Sequence, residues 1–150
     1  MLQRVQTLFL SLIIVISVLL PFVPFQLIST YETSYVVNMR IWNLGPNIKS
    51  IIYIPFTLNA LIFALTLFTI FKFKNRPLQM LLCRIIAFTS GAVIACFFSL
   101  TYIQLTDSKD VVMNYTLMAF LPGLNILLAY ISKKFIKNDE ELVKSADRIR

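Results

Sequence analysis

Four long intervals of this chain carry no charged side chain. No Asp, Glu, Lys or Arg occurs between Arg4 and Glu32, Lys49 and Lys72, Arg84 and Asp107, or Asp110 and Lys133, and each interval holds at least 22 residues. At about 1.5 Å per residue, a helix of that length reaches about 33 Å and crosses a hydrocarbon core of about 30 Å with slight tilt. A soluble helix as long would carry a polar face. Overall 58% of the residues are hydrophobic and 14% charged, below the roughly 25% charge usual in soluble domains. We therefore expect an all-α integral membrane protein built as one domain. Its four transmembrane helices fall at about residues 7–28, 50–71, 82–105 and 111–132, with a tail at 133–150.

The first interval also invites a reading as a cleavable signal peptide. Its apolar run is too long for that, and Pro21 to Thr30 offers neither a small-x-small cleavage site nor a lipid-accepting cysteine. It is read as a retained span. Orientation follows from the basic residues. Arg4, Lys72, Lys74, Arg76, Arg84, Lys133, Lys134, Lys137, Lys144, Arg148 and Arg150 fall on one side of the four spans, and Arg40, Lys49 and Lys109 on the other. The crowded side is expected in the cytoplasm, with both termini. The acidic residues split four and three, so the net charge of +7 belongs to that face, where it favours anionic lipid. No basic stripe with interleaved aromatic residues suggests nucleic acid as a partner.

Local signals add detail. Pro21 and Pro24 should kink or end the first helix near its outer interface. In the segment that follows, Tyr31, Tyr35 and Trp42 suit the headgroup level, and residues 35–42 are β-branched and aromatic enough for a short strand or hairpin. Pro77 fits a first helical turn, Asp110 an N-cap, and Pro122-Gly123 should loosen the fourth span midway. Asn138 followed by Asp139, Glu140 and Glu141 reads as an N-cap with acid in the first turn. Leu142, Val143, Ala146 and Ile149 would then form the apolar stripe of a short cytoplasmic amphipathic C-terminal helix.

Chemistry-bearing residues are few. There is no histidine, and each Asp or Glu lies outside the charge-free intervals, so the commonest general base and an intramembrane carboxylate are both missing. Cys83 and Cys96 stand thirteen residues apart on one helix, about 20 Å at helical rise, too far for a disulfide. No metal or other cofactor is expected. Asn59 and Asn125 are the strongest polar residues at membrane depth; interhelical contact is the favoured role, and a solute path the alternative. Ala87, Gly91, Ala95 and Ser99, spaced by four, are expected to let another helix of the bundle approach closely. At the cytoplasmic face Arg4, Arg76 and Arg84 come within reach of Asp139, Glu140, Glu141 and Asp147. The tail is expected to fold back there and form at least one Arg–carboxylate pair; a solvated tail is the alternative.

Three stretches on that face carry a resemblance: Gln3-Arg4-Val5-Gln6-Thr7; Lys74-Asn75-Arg76-Pro77-Leu78-Gln79 with Leu82-Cys83-Arg84; and Asp139 through Arg150. With Ala119-Phe120-Leu121-Pro122 they make the chain similar, over its entire length, to domain-of-unknown-function family 4293, small four-span proteins of bacterial inner membranes. The resemblance implies four helices and that location, and brings no activity or functional residues. The segment after the first span is longer and more polar than the family leads one to expect. Together these readings favour a non-catalytic membrane component that docks a membrane or cytoplasmic protein through its cytoplasmic face. The alternative is a small-solute transporter or oligomeric pore organised around Asn59 and Asn125.

Overall fold

The computed structural model describes residues 2–29, 34–38, 53–73, 75–105 and 112–147. Its four helices, α1 (Leu2–Leu19), α2 (Tyr53–Phe71), α3 (Arg76–Leu105) and α4 (Leu121–Asp147), are each long and apolar enough to cross a membrane. Successive helices pack side by side, and α1 on α4 closes the ring, leaving α1 and α3, and α2 and α4, diagonal to one another. The short link between α2 and α3 makes that pair antiparallel neighbours, as its length requires.

The buried residues show why the ring forms. One series of buried positions runs along each helix: Gln6, Leu10, Ile13 and Ser17 on α1, with Leu20 just after it; Pro55, Asn59, Ile62, Thr66 and Thr69 on α2; Gln79, Cys83, Ile86, Ser90, Val93 and Phe97 on α3; and Asn125, Ala129, Ser132 and Ile136 on α4, with Ile16, Leu82, Pro122 and Leu128 buried beside these series. Every step in these series is three or four, alternating, the spacing that holds one seam of a helix against its neighbours at a crossing angle of about 20°. Because lipid solvates apolar side chains as well as a protein core does, the seam can mix polar and apolar residues. The exposed face is more uniformly apolar, with Leu8, Leu12, Val15, Phe68 and Leu127 among its residues.

At the end of the bundle away from both chain termini, the helices give way to a small antiparallel sheet, so the expectation of an all-α chain needs correcting. The strands β1 (Pro24–Ser29), β2 (Ser34–Asn38) and β3 (Val112–Tyr115) lie in the order β2-β1-β3. Leu27 faces Val36 on one side and Asn114 on the other. The first span therefore does not continue helically to residue 28. After Leu19 it tightens into a 3-10 turn at Leu20–Phe22, and Val23 turns extended, at φ −90° and ψ 138°. Pro24 is the cause, because its ring excludes the α conformation from the residue before it. Phe25 then turns inward and meets Phe97 of α3, with ring centroids 4.7 Å apart. The strand expected over 35–42 is present through Asn38, starting one residue earlier at Ser34, and its remainder lies outside the described residues.

Two expectations for the fourth span also change. Asp110 lies outside the described residues, and the helix begins only at Leu121, after β3 and a 3-10 turn at Leu117–Phe120. Pro122 consequently falls in the first turn of α4, where its missing N–H would have had no helical partner, and it opens the helix instead of loosening it midway. At the other end there is no separate tail helix. α4 runs unbroken through Asn138 to Asp147, because no Pro or Gly interrupts residues 124–147 and an Asn inside a helix costs only about 0.7 kcal/mol.

Candidate functional site

The predicted charged cluster is built on the start of α3. Asn75 accepts the backbone N–H of Leu78 on its Oδ1 at 3.3 Å, which caps the helix, and Pro77 occupies its first turn. Arg76 is thereby fixed at the helix entrance beside the antiparallel α4. Its Nη2 lies 3.0 Å from Oδ2 of Asp139, and its Nη1 donates to the Asp139 backbone carbonyl at 3.1 Å. The side chains are 23% and 16% exposed, so this two-point contact is better sheltered than a surface ion pair; about 1 kcal/mol is a reasonable scale. The packing around it is tied by Gln79, which donates from Nε2 to the Thr69 carbonyl of α2 at 3.0 Å, and by Phe9 of α1 stacked on Phe135 of α4 at 5.6 Å.

Arg76 and Asp139 are the members of the predicted cluster that the structure joins. Glu140 instead meets Lys144 at 2.7 Å and Glu141 meets Lys137 at 3.5 Å, both one turn apart along α4. Arg84 is exposed and makes no ion pair among the described residues. The side chains of Arg4 and Asp147 lie outside the described ones. The tail does not fold back over the helix ends: it extends the axis of α4, leaving Leu142 56% and Val143 43% exposed. A continuous helix cannot reverse, and the ion pair anchors it at Asp139 against the start of α3, about two turns before its end.

Asn59 and Asn125 occupy diagonal helices, in the half of the bundle nearer the sheet, and do not form a common site through a packed α2–α4 interface. Asn59 donates from Nδ2 to the Ser17 carbonyl at 2.7 Å, joining α2 to α1, while its Oδ1 and the Ser17 hydroxyl have no partner. Beside them a cleft of about 180 Å³ is lined by Val18, Pro21, Phe56, Ala60 and Phe63. Both side-chain polar atoms of Asn125 are buried without a partner. The other polar residues of the seams mostly satisfy their own helices: Thr66, Thr69, Ser90 and Ser132 each donate to the carbonyl four residues back. The polar seam residues beyond the two asparagines went unread in the sequence. Their signal was spacing by sevens and elevens, as in Asn59 and Thr66, Asn125 and Ser132, Gln6 and Ser17, and Gln79 and Ser90.

Among the small residues of α3, Ala95 and Ser99 are exposed, and a Cβ added at Gly91 would meet nothing within 4 Å. The expected close helix approach inside the bundle is absent there. A strict spacing of four advances about 40° per step around a helix and so drifts off a seam that alternates three and four.

Neither the curated proteins nor the solved structures contain a significant match to this chain. The family described as Domain of unknown function (DUF4293) matches residues 2–149, essentially the whole length, and the chain belongs to that family.

Proposed function

We propose that this protein is a non-catalytic, multi-pass component of the bacterial inner membrane, with both termini in the cytoplasm, and that it docks a membrane or cytoplasmic protein on the end of α4. The observation that carries this reading is the rigid extension of α4. Its 27 residues amount to about 40 Å, longer than a bilayer core, and Arg76 anchors it at Asp139 against the start of α3 while Leu142 and Val143, beyond that contact, stay uncovered. Exposed apolar side chains on a braced helix outside the lipid zone suit a partner's apolar groove. The test is cross-linking and affinity purification from native membranes, comparing the intact chain, Leu142→Asp/Val143→Asp, and a chain ended at Asn138. A partner recovered with the intact chain and lost with both variants is expected. Recovery that is equal with all three would overturn the reading.

A second reading, a solute path in an oligomer, draws support from the unpartnered polar atoms of Asn59 and Asn125. Solute flux in liposomes that disappears with Asn59→Leu would favour it over docking.

A further inference from the structure

The ion pairs at the terminus-bearing end of the bundle divide its charges into two layers. Among the described residues Asp139, Glu140 and Glu141 are matched with Arg76, Lys144 and Lys137. Arg84, Lys133 and Lys134 have no such partner, and neither does Lys72. Of these, Arg84, Lys133 and Lys134 also sit deeper. Arg84 lies eight residues along α3 from Arg76, and Lys134 five residues along antiparallel α4 from Asp139, displacements of about 12 Å and about 8 Å toward the apolar zone. That brings Arg84, Lys133 and Lys134 to one level, within about a helical turn.

Each helix involved repeats one arrangement. Four residues further into the membrane from Arg84 stands Phe88, 80% exposed, and four from Lys134 stands Tyr130, 64% exposed; nearer the α2–α3 link, Phe68 lies under Lys72, its ring 5.6 Å from the ammonium. An exposed aromatic ring one turn below a cation belongs at the boundary between headgroups and acyl chains, with the cation at phosphate depth. A soluble polyanion would have to enter the headgroup layer to reach these cations. A lipid phosphate is already there.

We infer that Arg84, Lys133 and Lys134 form a binding surface for the phosphates of acidic phospholipids. The Arg84 guanidinium can grip a phosphodiester with two parallel N–H donors, and the lysines supply point charge that a zwitterionic headgroup offsets with its own cation. The assignment rests on the membrane-spanning reading and is independent of any docked partner.

The test uses the full chain in nanodiscs of mixed phosphatidylglycerol and phosphatidylcholine, with bound lipids counted by native mass spectrometry. The intact protein is expected to retain phosphatidylglycerol at least about tenfold above its bulk ratio, and Arg84→Gln/Lys133→Gln/Lys134→Gln to return it to that ratio, since one cation near an anionic surface is worth about fivefold. Glu140→Gln/Lys144→Gln, which removes a matched pair, is expected to change nothing. Should the triple variant fail to fold, the exposed single change Lys134→Gln serves, with an expected loss of about fivefold. For the intact protein, raising salt from about 0.05 M to about 0.5 M should weaken the enrichment, because screening shortens the reach of exposed charges. No enrichment by the intact protein, full enrichment by the folded triple or single variant, or displacement of the lipid by inorganic phosphate would each overturn the assignment.

Discussion

Gly91 and Val93 stand two residues apart on α3 in opposite surroundings. Val93 is fully buried on the seam, whereas a side chain at Gly91 would enter open space. Val93→Leu inserts a methylene into a packed position, which typically costs about 1–3 kcal/mol. Gly91→Leu adds no clash and removes a residue that weakens a helix by about 0.8–1 kcal/mol relative to Ala. We therefore expect Val93→Leu to lower the midpoint of thermal unfolding in detergent and Gly91→Leu to leave it unchanged or raise it; the opposite order would mean that the face at Gly91 is covered after all. The same contrast shows what a residue pattern can and cannot reveal. Four small side chains at fixed spacing were plain in the sequence, but whether a neighbour lies over them depends on the rotation of α3 about its axis, which the polar and apolar seam sets. Arg76 and Asp139 offer the complementary case. Their charges and their place at one end of the bundle were legible, and their contact is tested by a double-mutant cycle on Arg76→Ala and Asp139→Ala. A coupling near 1 kcal/mol is expected, and independent, additive effects would show that the contact stabilises nothing.

At the scale of elements, charge-free length announced four long apolar helices and misjudged where helix yields to other structure. Residues 24–29 are as free of charge as the helix before them, so charge-free length could not separate strand from span. The prolines that end the helix were visible, yet the strand needs partners from residues 34–38 and 112–115, and such long-range pairing leaves no local trace. The end of α4 failed for the converse reason. Asn138 and the acids after it have the composition of a helix start, but a cap requires a break before it, and the chain from Ile131 onward contains no residue that breaks a helix. Continuity makes a measurable difference. Spin labels at residues 134 and 145 should stand about 16 Å apart in their backbone positions, eleven residues at helical rise, with a narrow distribution. Asn138→Pro should broaden it, since an interior proline removes a hydrogen bond and costs about 3 kcal/mol or more. A broad distribution in the intact chain would indicate a hinge between the span and the tail.

For the whole molecule, the two ends of the bundle differ in kind. One carries the sheet, with β1 joined to α1 through the turn at Leu20–Phe22 and seated by Phe25 against α3, so that the helices meet a cap of strands. The other carries the chain termini, the α2–α3 link and the two layers of charge. If all four helices cross the bilayer, both termini share one side, and the positive-inside bias of the basic residues selects which. If the sheet end faced the cytoplasm, eleven Lys and Arg would have to cross the membrane in place of three, against a bias that acts most strongly on short loops such as the α2–α3 link. Reporter fusions after Ile136 and at Asn75 are therefore expected to report cytoplasm, and fusions at Asn38 and Ser108 the opposite side. Cytoplasmic signals from both 38 and 108 would remove the four-span arrangement itself, whereas a full inversion of all four signals would keep the bundle and reverse only its orientation. Those two failures bear differently on the rest. An inverted bundle would still set Arg84, Lys133 and Lys134 at a phosphate layer, so the lipid surface would survive while docking in the cytoplasm would not.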